Sequence, residues 1–401
     1  MKKLIPIIAI SLIVVILAGY GIFNYTVKKI TEREVNRITQ GEIDKVTQSE
    51  VDRITDRIIK QRTEEITKQI IGSNTGAEKV QSKEVKCDLT PKQREFAKSP
   101  YYDGILIDSH VHMPVSSKIV STVAIQSGFD DMPYEGDISI DSITCIFDSE
   151  GITKTFGFFL MPNAALSSSV SSAKNAKERH QEKIVPFFMP PPIASLHPEY
   201  ADVEKTILSN KGLFKGIGEL ALYHYPSTIK PDDPYFLELY RIANDEHLIV
   251  MMHPPPGQQK AVEDVVKAYP NAKFLFHGEE SMVNLIDRYP NTYFTIDAAE
   301  THIYGFDVQH MNKKPTKEEW LDYFRKNFDA NVEKSVSKWK TTIEKNPDRF
   351  LWGTDRWYSW HFDSEVGGLI DEFSRSFIGQ LDPAVQEKFA HKNAESIIQN
   401  E

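Results

Sequence analysis

Six residues of this chain obey one rule: each is a histidine or a carboxylate set at the end of a short apolar run. His110 and His112 close Ile105-Leu-Ile-Asp-Ser-His-Val-His112. Glu219 closes Gly216-Ile-Gly-Glu219, His253 closes Val250-Met-Met-His253, and His277 closes Phe274-Leu-Phe-His277. Asp355 closes Leu351-Trp-Gly-Thr-Asp355. On a strand, residues i and i+2 point to the same side, so His110 and His112 can aim two imidazoles at one point. Imidazole nitrogens with carboxylate oxygens suit a divalent ion, with zinc the first expectation and one or two ions to be held. Each residue alone has a plainer reading: His253 as a hydrogen-bonded group at the core edge, Glu219 as a lysine's partner, Asp355 as a helix cap. Six of them at equivalent strand ends make the shared reading the stronger one.

The elements that must position these residues follow from the pattern of apolar runs. Strands are expected at Gly104–His112, Thr153–Leu160, Ile184–Met189, Leu213–Glu219, Leu248–His253, Lys273–His277, Tyr293–Asp297 and Phe350–Thr354. Amphipathic segments separate nearly all of them, among them Ser142–Glu150, Tyr200–Ser209, Tyr235–Glu246, Gln258–Ala268 and Ser281–Arg288. Strict β/α alternation argues for a parallel sheet. Eight units over roughly 290 residues fit a closed (β/α)8 TIM barrel, an α/β fold whose active sites lie at the C-terminal strand ends. An open doubly wound sheet is the alternative, but no Gly-x-Gly-x-x-Gly turn follows the first strand, which weighs against a dinucleotide site.

With those residues in place, the stretch from Gly104 to about Ile398 resembles the amidohydrolase superfamily of metal-dependent hydrolases. The resemblance rests on Asp108-Ser-His-Val-His112, the terminal histidines of strands five and six, and Gly353-Thr-Asp355. Gly218-Glu219-Leu220 is similar to the TatD-like branch; the rest looks more like the broad amidohydrolase-related set of lactonases, decarboxylases and hydratases. The resemblance implies that His110 and His112 hold a first metal with Asp355, and that Glu219 ligates or bridges. It implies that His253 and His277 hold a second ion, or that with one ion His253 ligates it and His277 touches substrate. Glu219 stands where many relatives place a carboxylated lysine, and Lys215 sits too early on its strand to replace it. Asp355 is then the expected proton shuttle and His277 the expected oxyanion stabiliser. The expected reaction is hydrolysis of an ester, lactone, amide or phosphoester. A metal-dependent decarboxylase or hydratase on the same barrel is the second reading, and a non-catalytic stalked binding protein the third. Loops after the strands supply candidate contacts to a small-molecule substrate: Arg356, which could meet an anionic group or form an ion pair on the rim, with Tyr223 and His224. The section from Glu300 to Pro347 is long enough for a lid or for a seventh barrel helix with an extra piece.

Composition bounds the rest. The chain has 401 residues, 40% hydrophobic and 26% charged, with a formal net charge of -10, which is ordinary for a globular protein. Its basic residues are scattered among acids, so no nucleic-acid partner is expected unless the chain is a TatD-like nuclease. Cys87 and Cys145 are the two cysteines; with no paired spacing, a disulfide framework is not expected and Cys145 reads as a small packed hydrophobe. Residues 4–23 carry no charge and at about 1.5 Å per residue span about 30 Å, so residues 1–26 are expected to form a transmembrane helix. Residues 27–85 are expected to be a helical stalk and linker, with an apolar pulse of period eight that could support a homo-oligomer, and residues 86–401 the barrel. That organisation predicts a single-pass cell-membrane protein with an extracytoplasmic catalytic domain.

Overall fold

The computed structural model describes residues 94–96, 100–115, 138–181, 183–225, 229–298 and 316–399. Its contacts divide the chain into two units, and the architecture below lies within the larger, residues 82–116, 131–192 and 197–401.

Eight strands form one parallel sheet in sequential order, β1 to β8. They are β1 Leu106–His112, β2 Ile152–Leu160, β3 Ile184–Met189, β4 Gly216–Ala221, β5 Ile249–His253, β6 Lys273–Phe276, β7 Thr292–Asp297 and β8 Phe350–Gly353. Parallel strands covered on both faces read as continuous apolar runs rather than alternating ones, and β3, Ile-Val-Pro-Phe-Phe-Met, is buried at every position. The sheet closes on itself beyond β8. The Asp355 N–H donates to the His110 carbonyl (2.9 Å) and the His112 N–H to the Arg356 carbonyl (3.0 Å). The buried Asp108 carboxylate clamps the same seam, accepting from the Thr354 N–H (2.9 Å) and the Thr354 hydroxyl (2.6 Å). The chain is thus a (β/α)8 TIM barrel, and the Asp108 and Thr354 positions of the two end motifs are each other's partners.

The helices cover the sheet in the expected alternation. They include α1 Ile140–Ser149, α2 Leu166–Arg179, α3 Tyr200–Ser209, α4 Pro234–Asp245, α5 Gln259–Ala268, α6 Val283–Ile286, α7 Lys317–Lys345 and α8 Ser364–Gly379. Their starts are written locally. Asp233 caps α4 ahead of Pro234 at its first position. Thr316 and Glu319 form a reciprocal capping box on α7. α7 is one 29-residue helix that buries Trp320, Phe324, Phe328, Trp339 and Ile343. Trp339 lies 5.5 Å from Phe294 of β7, and Trp320 stacks on Phe324, which meets Phe373 of α8. Residues 317–345 are therefore the seventh barrel helix; residues 300–315 of the section read as a lid or an extra piece lie outside the described residues.

Two expectations are corrected. Among the described residues no helix is long and apolar enough to cross a membrane, and the reading as a single-pass membrane protein is withdrawn on that finding. Residues 4–23, the stalk at 27–71 and the joint at 72–85 lie outside the described residues. Cys145 is disulfide-bonded rather than a lone packed hydrophobe.

Candidate metal centre

Local irregularities in two strands place the first ligands. The β1–β2 pairing shifts register between Asp108 and Val111, and the β4–β5 pairing shifts between Ile217 and Leu220. Such bulges re-aim the side chains they contain, here His110 and Glu219. At the end of β8, Asp355 takes φ +53°, a left-handed conformation costly for a residue with a Cβ. The hydrogen bond from its N–H to β1 holds it there.

The resulting distances describe one cluster. His110 Nε2 and His112 Nε2 lie 3.4 and 3.3 Å from Asp355 Oδ1. The same two nitrogens lie 3.7 and 3.5 Å from Glu219 Oε2. The other Glu219 oxygen, Oε1, is 2.9 Å from His277 Nε2 and 3.7 Å from His253 Nδ1. Two sets have ligand atoms mutually within 4.8 Å: His110, His112 and Asp355, and His110, Glu219 and His277. A single His110 nitrogen can serve only one ion, so the sets overlap rather than stand apart. His253 belongs to neither set; its ring packs edge-on to His277 at 4.4 Å.

The donors fit a divalent ion. Donors about 2.0–2.1 Å from a tetrahedral ion stand about 3.3 Å apart, the spacing found between the two imidazoles and Asp355 Oδ1. His110 Nε2 is buried and has no hydrogen-bond partner among the described residues. Three carboxylates, Glu219, Asp297 and Asp355, are buried here against the rings of His110, His112, His253 and His277. Burying such charge is unfavourable without a compensating cation.

Protonation equilibria carry the same signature. Burial alone would lower the His110 pKa, but the Asp355 and Asp297 carboxylates raise it to about 10. Burial opposes ionisation of Glu219, yet His277, His110 and His253 hold it well below the usual carboxylate range. Asp355 is lowered too, with burial outweighed by His110 and His112.

The remaining expected residues divide. Tyr223, half-buried, lies with its ring 4.0 Å from that of His253 and 4.1 Å from that of His224, so both follow the metal-side histidines at the barrel mouth. Arg356 does not. Its side chain is fully buried, and its guanidinium donates to both oxygens of Glu150, at 2.6 and 3.3 Å. Its cation is committed to an internal pair rather than to a substrate anion.

Two residues with no role assigned from sequence sit against the cluster. Asp297 ends β7 with Oδ2 3.3 Å from His110 Nδ1 and 3.2 Å from His277 Nδ1. The strand-end rule that found the other carboxylates applies to it equally. His361 is fully buried, and its Nδ1 accepts from the Trp357 and Tyr358 N–H groups (3.2 and 3.4 Å). Burial and the nearby Arg356 lower its pKa to about 3, and no sequence pattern announces it.

Comparison with known proteins agrees with this architecture. The family model described as Amidohydrolase matches residues 179–398, a span that takes in β3 to β8 with Glu219, His253, His277, Asp297 and Asp355. No curated protein matches the chain. Among similar solved structures is a probable 2-pyrone-4,6-dicarboxylic acid hydrolase from Acinetobacter baumannii with citric acid bound. It has 13% identity and a TM-score of 0.47, covering 73% of this chain and 98% of that one. An amidohydrolase from Burkholderia multivorans with bound zinc has 11% identity and a TM-score of 0.45, covering 74% and 99%. A dihydroxybenzoic acid decarboxylase from a Polaromonas species, with bound manganese and an inhibitor, has 14% identity and a TM-score of 0.41, covering 74% and 97%.

Proposed function

The chain belongs to the amidohydrolase family of metal-dependent enzymes, and from that premise we propose that it hydrolyses an ester, lactone, amide or phosphoester of a small molecule. The observation that carries the reading is Glu219, whose two oxygens face different histidines: Oε2 the pair on β1, Oε1 His277 and His253. His110, His112, Asp355 and Glu219 Oε2 would hold one ion, with zinc the best match to two imidazoles and two carboxylates. Glu219 Oε1, His277 and His253 offer donors for a second. When bound, such an ion polarises the scissile carbonyl or phosphoryl oxygen and makes water acidic enough to attack at neutral pH.

The side chains divide the remaining work. Asp355 is ionised, because His110 and His112 hold its pKa low, so it can take the proton from the attacking water. Passing that proton to the leaving group restores the carboxylate and closes the cycle. Its left-handed backbone and its N–H bond to His110 keep it from drifting between the two transfers, which favours rate through positioning. With a single ion bound, His277, held by Glu219 Oε1 at 2.9 Å, would stabilise charge developing on the substrate oxygen through its protonated ring; with two, it would be a ligand. Tyr223 and His224 form an aromatic rim for the substrate body.

The test is a panel of lactones, esters, phosphodiesters and dipeptides offered to the full chain loaded with zinc, with proton release followed at constant pH. Asp355→Asn should keep the metal, by elemental analysis, and lose about 10²–10⁴-fold in kcat, the usual contribution of a general base. Turnover that survives chelation, or loss of carbon dioxide from a substrate without hydrolysis, would overturn the proposal.

A further inference from the structure

We infer that Asp297 is a positioning residue that orients His110 and His277, with Nδ1 turned inward to its carboxylate and Nε2 presented to the other metal donors. This deepens the metal-centre reading and rests on it. One carboxylate oxygen, Oδ2, lies 3.3 Å from His110 Nδ1 and 3.2 Å from His277 Nδ1. The two rings meet edge-on, with centroids 4.5 Å apart, so one oxygen can face both. The Asp297 side chain is fully buried, so its charge faces those two rings and not water.

The chemistry is one-directional. An ionised carboxylate only accepts, so each facing Nδ1 must carry the proton. A neutral imidazole with Nδ1–H has its lone pair on Nε2. For His110 that lone pair faces Asp355 Oδ1 and Glu219 Oε2; for His277 it faces Glu219 Oε1. Without a metal, a proton on Nε2 bridges to those carboxylates, as in the 2.9 Å contact from His277 to Glu219, and a bound metal would take that proton's place. Asp297 therefore keeps the Nδ1 proton of both rings on its own side, so that Nε2 is the atom left for a metal, and raises their basicity as ligands.

The surroundings are built to keep Asp297 in place. The Thr295 hydroxyl donates to its other oxygen, Oδ1, at 3.3 Å. The Ser109 hydroxyl reaches Thr295 Oγ1 and the Trp352 carbonyl, both at 2.7 Å. Gly353 of β8 completes the cradle: a Cβ there would stand 2.4 Å from Asp297 Oδ1, so any larger residue would push the carboxylate aside. Residues of β1, β7 and β8 thus converge on a group that touches two histidines and no substrate.

The experiment uses the full chain and zinc as the probe. Competition with a chromophoric chelator should show Asp297→Asn, nearly isosteric but uncharged, binding zinc about 10- to 100-fold more weakly than the parent. Far-UV circular dichroism should be unchanged. Nitrogen-15 shifts of the imidazoles in the unmutated protein should report Nδ1–H for His110 and His277, both without zinc and with it; this measurement needs no variant to fold. Parental zinc affinity in Asp297→Asn, or an Nδ1 that lacks its proton on either ring, would overturn the inference. Neither readout involves turnover, so a chain that binds zinc through these tautomers and hydrolyses nothing sinks the hydrolase reading while leaving this one intact.

Discussion

Replacing Arg356 separates two roles that its position beside Asp355 confuses. If the guanidinium served a substrate anion, Arg356→Met would raise KM and leave stability alone. The structure predicts the opposite. Both members of the Arg356–Glu150 pair are buried, at 0% and 6% side-chain exposure, and the contact is two-pronged, the stronger kind of charged hydrogen bond. Methionine keeps much of the apolar stem that packs over Phe147, where the guanidinium carbon lies 5.2 Å from the ring centre. It also leaves untouched the backbone carbonyl that accepts from His112. What remains is a buried Glu150 carboxylate without its counter-charge, a loss of about 3–5 kcal/mol.

Urea denaturation of the zinc-loaded full chain at pH 7 would measure this, with Glu150→Gln and the double variant Arg356→Met/Glu150→Leu alongside. Each single variant should lose about 3–5 kcal/mol. The double variant should recover most of that, because no charge is left stranded and the two apolar side chains can pack. Arg356→Met with stability within about 1 kcal/mol of the parent, together with a KM raised only for anionic substrates, would refute the buried-pair account and return Arg356 to the substrate.

Two further outcomes follow from the geometry. Gly278 has φ +73°, and a Cβ there would stand 2.1 Å from His253 Nε2, so Gly278→Ala should displace His253 and cost about 1–2 kcal/mol of stability through the left-handed backbone; zinc stoichiometry and kcat/KM on one sample would check it, and a variant with parental kcat/KM would show His253 to be idle. Burial, only partly offset by the Pro191 carbonyl, lowers the His197 pKa to about 4. The unfolded chain protonates the same ring near pH 6.5 and so binds more protons between those values. Stability is therefore full above about pH 6.5 and falls as pH drops toward 4, by at most about 1.4 kcal/mol per pH unit for this group. Urea midpoints at pH 7, 5.5 and 4.5 should fall less steeply in His197→Gln, and parallel slopes would rule the histidine out as a source of acid lability.

Much of the barrel is legible because parallel strands buried on both faces must be continuous apolar runs. Val250-Met-Met and Phe274-Leu-Phe are core in the structure, and the polar residue ending each run marks where the strand leaves the core for the mouth. Boundaries move where apolar residues pack without pairing. The fourth strand was expected from Leu213 but pairs from Gly216, because Leu213 and Phe214 bury themselves ahead of the ladder. The seam between β1 and β8 has no local signature. Asp108 and Thr354 are 246 residues apart, and only closure of the sheet makes them partners.

The site shows the same division, and in one place the information was present and unused. His110 and His112 were placed on one side by the two-residue period of a strand. That period does not reach Arg356, because Asp355 before it is left-handed; its side chain turns to Glu150 at the end of α1. The substrate-binding expectation for Arg356 came from chain proximity to a catalytic candidate, and proximity along the chain does not set where a side chain points. Asp297 is the converse case. It obeys the strand-end rule that found the other carboxylates, but its role is set by two histidines 187 and 20 residues away. A carboxylate that ends a barrel strand becomes a ligand or a ligand's support according to which atoms face it: Asp355 meets Nε2 atoms and Asp297 meets Nδ1 atoms of the same kind of ring.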